Sequence, residues 1–475
     1  MRPVSALLTD LYELTMMQGY LLTGHNPQVV FDMFYRRQPF RGGFAVFAGL
    51  EDLLSAVSSL RFSPEELTYL EGLGIFRREF LDYLAKFRFT GDIYAMDEGS
   101  IVFPNEPLVR VHANLVEAQL LESMLLTIIN FQTLIATKAA RVYLASRGGR
   151  VIEFGLRRAQ GLDGAVSATR AAYIGGASAT SNTYAGKLFG IPLSGTMAHS
   201  WIMAFDSELE AFGRYIDLYP DAAVLLIDTY DTLGSGIENA IRVGKILKGR
   251  GKPLGVRLDS GDLDYLSKKV RQRLNEAGLS DATIVVSNEL NEQIIQQLVS
   301  DGAPIDAWGV GTELVTGGSE SALSGVYKLA AKERDGVMVP TIKLSNNPEK
   351  TTTPGIKQVH RFFDRDGAPV ADLLTLDGEE VPVGEPVRFY HPALEYTFFT
   401  GTAFEKSVPL LSRKLRAGKL DFSPPPIAEI RNRTIEGLHS FDESYRRLLN
   451  PHVYKVSLSK GLKELKFNLI KGNYA

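Results

Sequence analysis

The feature that most constrains this chain is an alternation between residues 150 and 330. Short apolar runs rich in β-branched residues recur at 151–154, 191–194, 223–228, 254–258, 283–287, 307–310 and 325–329. Helix-like stretches lie between them, clearest at 235–248, 263–277 and 289–299. Near-continuous apolar runs of this length suit strands buried on both faces of a parallel sheet. Strands alternating with helices predict βαβ units, hence a doubly wound sheet or a barrel. Each run stops at polar, charged or glycine residues: Glu153 with Arg157, Thr196 with His199, Asp228, Arg257 with Asp259, Ser287 with Asn288, Gly309 through Thr312, and Lys328. One such end reads as a helix cap, because Ser, Asp and Asn cap helices well. Seven in succession favour a barrel, whose strand ends converge on the C-terminal face where chemistry sits.

The flanks read differently. Residues 1–145 are expected to form an N-terminal α/β domain, with a strand at 29–36, a strand-rich stretch at 91–112 turning at Pro104-Asn105, and an apolar helix at 115–147. Residues 146–335 form the expected barrel. Residues 336–475 form a strand-rich C-terminal region expected to pack on the N-terminal domain, with strands at 337–344 and 358–363 and a surface helix at 455–470. The run SPPP at 423–426 is a rigid turn.

Composition narrows the chemistry. With no cysteine, disulfides, thiolate metal sites and cysteine nucleophiles are excluded. A net charge of -3 argues against broad nucleic-acid binding, so an anionic ligand needs a local arginine cluster. No run of about 18 apolar residues suggests a membrane span. The N-terminus meets acid at Asp10 without an apolar core, unlike a signal peptide. A cytoplasmic enzyme is the expectation.

Four constellations carry chemistry. Glu153-Phe154-Gly155-Leu156-Arg157-Arg158 puts two arginines at a strand exit, suited to bidentate binding of carboxylate or phosphate; a solvated turn with one arginine paired to Glu153 is the plainer reading. Gly195 through Ser200 places His199 within one turn of a strand end, as acid, base or phosphate acceptor, or as a structural cap. Arg257-Leu258-Asp259-Ser260-Gly261-Asp262, with Asp228-Thr229-Tyr230-Asp231 one strand earlier, offers carboxylates for ribose hydroxyls or Mg²⁺; both are also good turn and cap sequences. Gly309-Val310-Gly311-Thr312 lies where a barrel binds phosphate, since glycine lets backbone N–H groups approach closely. Together they describe a pocket for a phosphorylated sugar and a small anion.

The runs FGLRRAQGLDGA, SNTYAGKLFGIPLSGTMAHSW, LIDTYDTLGSG, GVRLDSGDL and WGVGTELVT, with TDLYELTMMQGY, FDMFYRRQPFRGGFAVFAGL and KTTTPGIKQVHR, span essentially the whole chain in order. Together they resemble the nicotinate phosphoribosyltransferase family. The resemblance implies an irregular α/β barrel of the type II phosphoribosyltransferases, with an N-terminal α/β domain. The acidic-pair-plus-TG loop of type I phosphoribosyltransferases is absent, in agreement.

By the same resemblance the substrates are nicotinate, 5-phosphoribosyl 1-pyrophosphate and ATP, the cofactor is Mg²⁺, the transfer is ligase-like, and the active site is shared across a homodimer. His199 matches the histidine phosphorylated by ATP. Tyr12, from the partner subunit, and Phe154 match the pair that sandwiches the pyridine ring, with Arg157 beside it. Arg257 and Asp228 match catalytic residues. Asp228 and Asp259 match residues at the donor and its Mg²⁺, bound directly or through water. Gly309, Gly311 and Thr312 match the 5-phosphate loop, and Gly261, Arg37 across the dimer and Lys328 match further donor contacts. A sister enzyme keeps an aspartate for the nicotinamide amide. Asn182 stands at that position, and removing a carboxylate beside the ring favours an anionic substrate. Phosphoribosyl transfer to nicotinamide or quinolinate, and a non-catalytic metabolite-binding barrel, are the alternatives.

Overall fold

The computed structural model describes residues 4–347, 350–402 and 404–474. The chain divides into two compact units, Met1–Leu134 with Ala322–Ala475, and Ile135–Ser321.

Among its described residues the first unit holds sheets of seven, six and two strands. In the seven-stranded one, Gln28–Tyr35 runs antiparallel to Val109–Asn114 on one side and to Gly325–Arg334 on the other. The sequence QVVFDMFY is apolar on both faces and nearly all of it is buried, as a central strand requires. The run at 325–329 is therefore not a seventh barrel strand. It opens a ten-residue antiparallel strand of the first unit, where Tyr327 stacks on Phe31 with ring centroids 4.6 Å apart.

The six-stranded sheet centres on Pro369–Leu376, antiparallel to Lys357–Phe363 and parallel to Lys455–Leu458. The helix expected over 455–470 thus begins late. Lys455–Leu458 is a strand, and the helix is Lys460–Tyr474. The Ser459 hydroxyl accepts from Leu462 N and fixes that start. A buried cross-strand pair ties this sheet together. Arg361 donates to Asp372 from Nε at 2.9 Å and from Nη2 at 2.6 Å, and the rings of Phe103, Phe441 and Tyr454 surround its guanidinium. Burial and the neighbouring Asp372 push the Glu106 carboxyl well above the usual carboxylate range.

The helix Leu115–Ala145 carries the chain into the second unit. It is the one described helix long and apolar enough to cross a membrane. Its residues from Leu115 to Leu134 contribute to the main core of the first unit, as a core helix does.

The second unit holds six parallel strands: β1 (Arg150–Glu153), β2 (Ala179–Thr180), β3 (Val224–Leu226), β4 (Gly255–Leu258), β5 (Thr283–Val286) and β6 (Ala307–Val310). They lie in the order β2-β1-β6-β5-β4-β3. Beyond β2, the run at 191–194 forms only a parallel bridge, Leu193 to Thr180. The sheet is thus irregular. Its two ends meet through side chains: His199, past Leu193, and Thr229, past β3, are 3.1 Å apart. The result is an irregular parallel α/β barrel. Ile152, Ala179, Val285 and Ala307 form a buried cluster against which Phe154 and Val224 pack. Asn182, Ser207, Asp262 and Asn291 each cap a following helix by accepting a backbone N–H.

Candidate active site at the strand ends

Arg257, one residue before the end of β4, organises the site. Its Nε donates to Ser287 Oγ at 2.8 Å, Nη1 to Thr196 Oγ1 at 2.6 Å, and Nη2 lies 2.9 Å from Asp259 Oδ1. One guanidinium thereby ties together three strand exits, which a planar fork does and an ammonium does not. Its Cζ also lies 5.8 Å from the Phe154 ring centroid. Burial works to raise the Asp259 carboxyl, but the Ser287 hydroxyl, Arg257 and His199 outweigh it and hold it below the usual range. Asp259 is therefore an anion at neutral pH.

The two acidic pairs divide their labour. Asp231 accepts from Gly234 N and Asp262 from Tyr265 N, so these two are turn and cap residues. Asp228 and Asp259 face the site. Asp228 Oδ2 accepts from Asp259 N at 2.8 Å and Ser260 Oγ at 2.6 Å, which fixes the turn where Gly261 has φ +78°. Asp228 Oδ1 is buried with no hydrogen-bond partner. No cluster of three or more metal-ligating side chains occurs among the described residues. Two carboxylates fit Mg²⁺, which keeps several waters, and the unpartnered Asp228 oxygen supplies the free acceptor such an ion needs.

His199 opens the short helix His199–Met203. Its Nδ1 is 3.1 Å from Thr229 Oγ1 and its Nε2 is 3.7 Å from Asp259 Oδ2. Its side chain is 41% exposed.

At β1, Glu153 does not pair with an arginine. It is buried and accepts from Gly155 N, from Thr169 Oγ1 at 2.9 Å and from Thr180 Oγ1 at 2.6 Å. It thus fixes the turn from which Phe154 and Arg157 project. Arg157 is exposed, with no partner among the described residues. Asn182 is buried as a helix cap, its amide donating to Thr169 Oγ1 at 3.1 Å.

Gly309 and Gly311 differ in what their missing side chains allow. A Cβ on Gly309 would lie 2.5 Å from the Phe154 ring, so the ring rests where that side chain would be. Gly311 has no such contact; the nearest atom to its Cβ would be Phe154 O at 3.4 Å. Thr312 follows, exposed at the start of Thr312–Thr316. Gly309→Ala is expected to displace the Phe154 ring and raise the KM of a ring substrate about tenfold while sparing the KM of a phosphorylated donor. Separate substrate titrations check this; equal effects on both would show a general collapse of the barrel mouth.

Tyr12, Arg37 and Lys328 belong to the first unit. Tyr12 is exposed on Leu11–Leu22. Lys328 is mid-strand rather than at a strand end; its Nζ is 3.4 Å from Glu122. Arg37 opens on a cleft of about 1050 Å³ that Arg36, Lys350, Lys357, His391 and Lys466 also line. Glu153, Thr196 and Ser287, which the sequence marks as polar strand ends without a role, and Thr229 hold the other site residues in place. Their signal was a hydrogen-bonding side chain at or just past a strand end.

Fold and site define a type II barrel centre, with a basic and acidic cluster at the strand exits. Family models match in three segments: the nicotinate phosphoribosyltransferase N-terminal domain over residues 7–130, the nicotinate phosphoribosyltransferase family over 150–366, and the C-terminal domain over 356–466. A nicotinate phosphoribosyltransferase of Bacillus subtilis is 45% identical over 460 residues, covering 96% of this chain and 93% of its own. The crystal structure of human nicotinic acid phosphoribosyltransferase superposes with a TM-score of 0.85 at 31% identity, covering 97% of this chain and 99% of that one. A nicotinate-nucleotide pyrophosphorylase from Pyrococcus furiosus shares the fold, with a TM-score of 0.70 at 21% identity over 92% of this chain and 95% of that one. The chain belongs to the nicotinate phosphoribosyltransferase family.

Proposed function

We propose that the protein transfers a phosphoribosyl group from 5-phosphoribosyl 1-pyrophosphate to the ring nitrogen of nicotinate, releasing pyrophosphate, as a step of NAD biosynthesis, with ATP consumed through a phosphohistidine at His199. The observation that carries this reading is the single connected cluster of Arg257, Asp259, Asp228 and His199 at neighbouring strand exits.

As pyrophosphate leaves C1 of the ribose, the sugar becomes oxocarbenium-like and the nicotinate nitrogen attacks it. Bound Mg²⁺ supplies charge neutralisation for the leaving pyrophosphate; Asp228 and Asp259 would hold it. Arg257 places a fixed positive charge beside the reacting sugar phosphate, already oriented by Ser287 and Thr196. Phe154 stacks on the flat ring, with Tyr12 of the partner subunit on the other face, worth about 0.5–1.5 kcal/mol beyond area burial. Arg157 is free to neutralise the carboxylate. Gly311 and Thr312 receive the 5-phosphate.

A neutral ring nitrogen of His199 attacks the γ-phosphorus of ATP. The N–P bond forms as the bond from the γ-phosphorus to the bridging oxygen breaks, and ADP leaves. The protein as isolated should form nicotinate mononucleotide from nicotinate, donor and Mg²⁺, more with ATP, and little from nicotinamide. Chromatography of parallel reactions tests this. Product only from nicotinamide, CO₂ release from quinolinate, or tight binding without turnover would each overturn it in favour of a different reading.

A further inference from the structure

A lysine that the reaction does not use lies buried beside the strand exits. Lys138, on the helix Leu115–Ala145, has a side chain only 3% exposed. Its Nζ is 2.7 Å from Glu292 Oε2 and 3.1 Å from Glu313 Oε2. Glu292 opens the helix Glu292–Ser300 that follows β5. Glu313 lies in the first turn of Thr312–Thr316, which follows β6. One ammonium thus ties the segments after two adjacent barrel strands, immediately behind Gly311 and Thr312.

The two carboxylates are not equivalent. Glu292 has a second cation, since its Oε1 accepts from Arg141 Nε at 2.8 Å. Burial works to raise its carboxyl, but Lys138 and Arg141 together hold it below the usual range. Glu313 has Lys138 as its one ion partner among the described residues. The chain also bends around the Glu313 carboxylate: Gly318, at φ +57°, has its backbone so near that a Cβ there would lie 2.1 Å from Glu313 Oε2. An exposed pair of this kind would contribute little. A lysine held in the interior carries a desolvation cost that its partners must offset, and here one partner is the residue next to Thr312.

We propose that Lys138 is a positioning residue for the donor's 5-phosphate, acting through Glu313 to hold the Gly311-Thr312 turn in its binding conformation. The inference rests on the reading of that turn as the phosphate loop. It assigns to a buried lysine outside the strand ends a role in binding one half of one substrate.

The test varies each substrate separately in Lys138→Met, Glu313→Gln, the double variant and Lys138→Arg, and measures ribose 5-phosphate binding by calorimetry alongside. Lys138→Met leaves Glu292 its bond to Arg141, and Glu313 is partly exposed, so Glu313→Gln carries little risk to folding. Both single variants should raise the donor KM and the ribose 5-phosphate Kd by about tenfold, a scale expected when a supporting contact loosens a binding loop. The nicotinate KM and kcat should stay within about twofold. The double variant should be no worse than either single one, because both remove the same contact, and Lys138→Arg should recover most of the affinity. Unchanged ribose 5-phosphate binding in Glu313→Gln, with only a lowered Tm in Lys138→Met, would reduce the contact to packing and overturn the proposal. Calorimetry does not depend on turnover. A wild-type protein that bound ribose 5-phosphate through Lys138 yet formed no mononucleotide would count against the proposed reaction and not against this inference.

Discussion

Arg257→Ala lowers kcat/KM for the phosphoribosyl donor by roughly two to three orders of magnitude, the expected consequence of stranding a charge inside the site. The guanidinium makes three side-chain contacts at once, to Ser287, Thr196 and Asp259. Removing it takes away a fixed positive charge and leaves Asp259 half-buried without its principal ion partner. Truncating one member of a buried, hydrogen-bonded charge pair costs about 2–5 kcal/mol, much of it from the charge left behind. Arg257→Lys keeps the charge but not the fork, so it should fall between wild type and alanine. The pH behaviour gives a second, independent reading. Asp259 is held below the usual carboxylate range in the folded protein, partly by Arg257. A depressed carboxyl contributes stability that is present above its unfolded pKa and is lost as pH falls through the folded value. That contribution shrinks in Arg257→Ala. The Tm gap between wild type and variant should therefore be widest near neutral pH and narrow in acid, while the acidic limb of activity moves to higher pH. A variant with an unchanged donor KM and an unshifted acidic limb would remove Arg257 from the reaction.

The barrel was legible because its signal is cooperative: successive apolar runs, each ending in polar residues, have few other solutions. Five of the runs are β1, β3, β4, β5 and β6 within a residue or two. The errors fall where a run's partners are remote in sequence. The run at 325–329 looks like a further barrel strand until its pairing with 31–35, some three hundred residues earlier, is seen. The strand Lys455–Leu458 looks helical in sequence because lysines at helical spacing carry on past it, and its pairing with Ala371–Leu374 is invisible locally. β2 is only two residues long, too short for any periodicity. Within the site, residue type alone does not separate Asp228 from Asp231 or Asp259 from Asp262, because caps and ligands use the same side chains; the family resemblance points to Asp228 and Asp259. In the structure, the backbone N–H groups of Gly234 and Tyr265 donate to Asp231 and Asp262 and so mark those two as turn and cap residues. Gly309 shows the same limit. Sequence says that a side chain is missing, and the structure says that the Phe154 ring takes its place.

His199→Ala should abolish phosphoryl transfer to the protein and with it the entire ATP-dependent increment of product. The prediction follows from what surrounds the imidazole. Asp259 faces Nε2 at 3.7 Å and Thr229 faces Nδ1 at 3.1 Å, so the ring is oriented from both sides. The same Asp259 also pairs with Arg257, so His199 and Arg257 share one carboxylate. With ATP labelled in its γ-phosphate, the wild-type protein should take up acid-labile, alkali-stable label, as a phosphohistidine does, and His199→Ala none. Asp259→Asn keeps the nucleophile but removes the charge that orders it, so its label should appear more slowly. Thr229→Val removes the Nδ1 partner and should loosen the ring without abolishing the chemistry. Label retained in His199→Ala would place the phosphate elsewhere. Loss of label with ATP stimulation intact would separate the phosphohistidine from the energetic coupling, leaving His199 as a participant in donor binding alone.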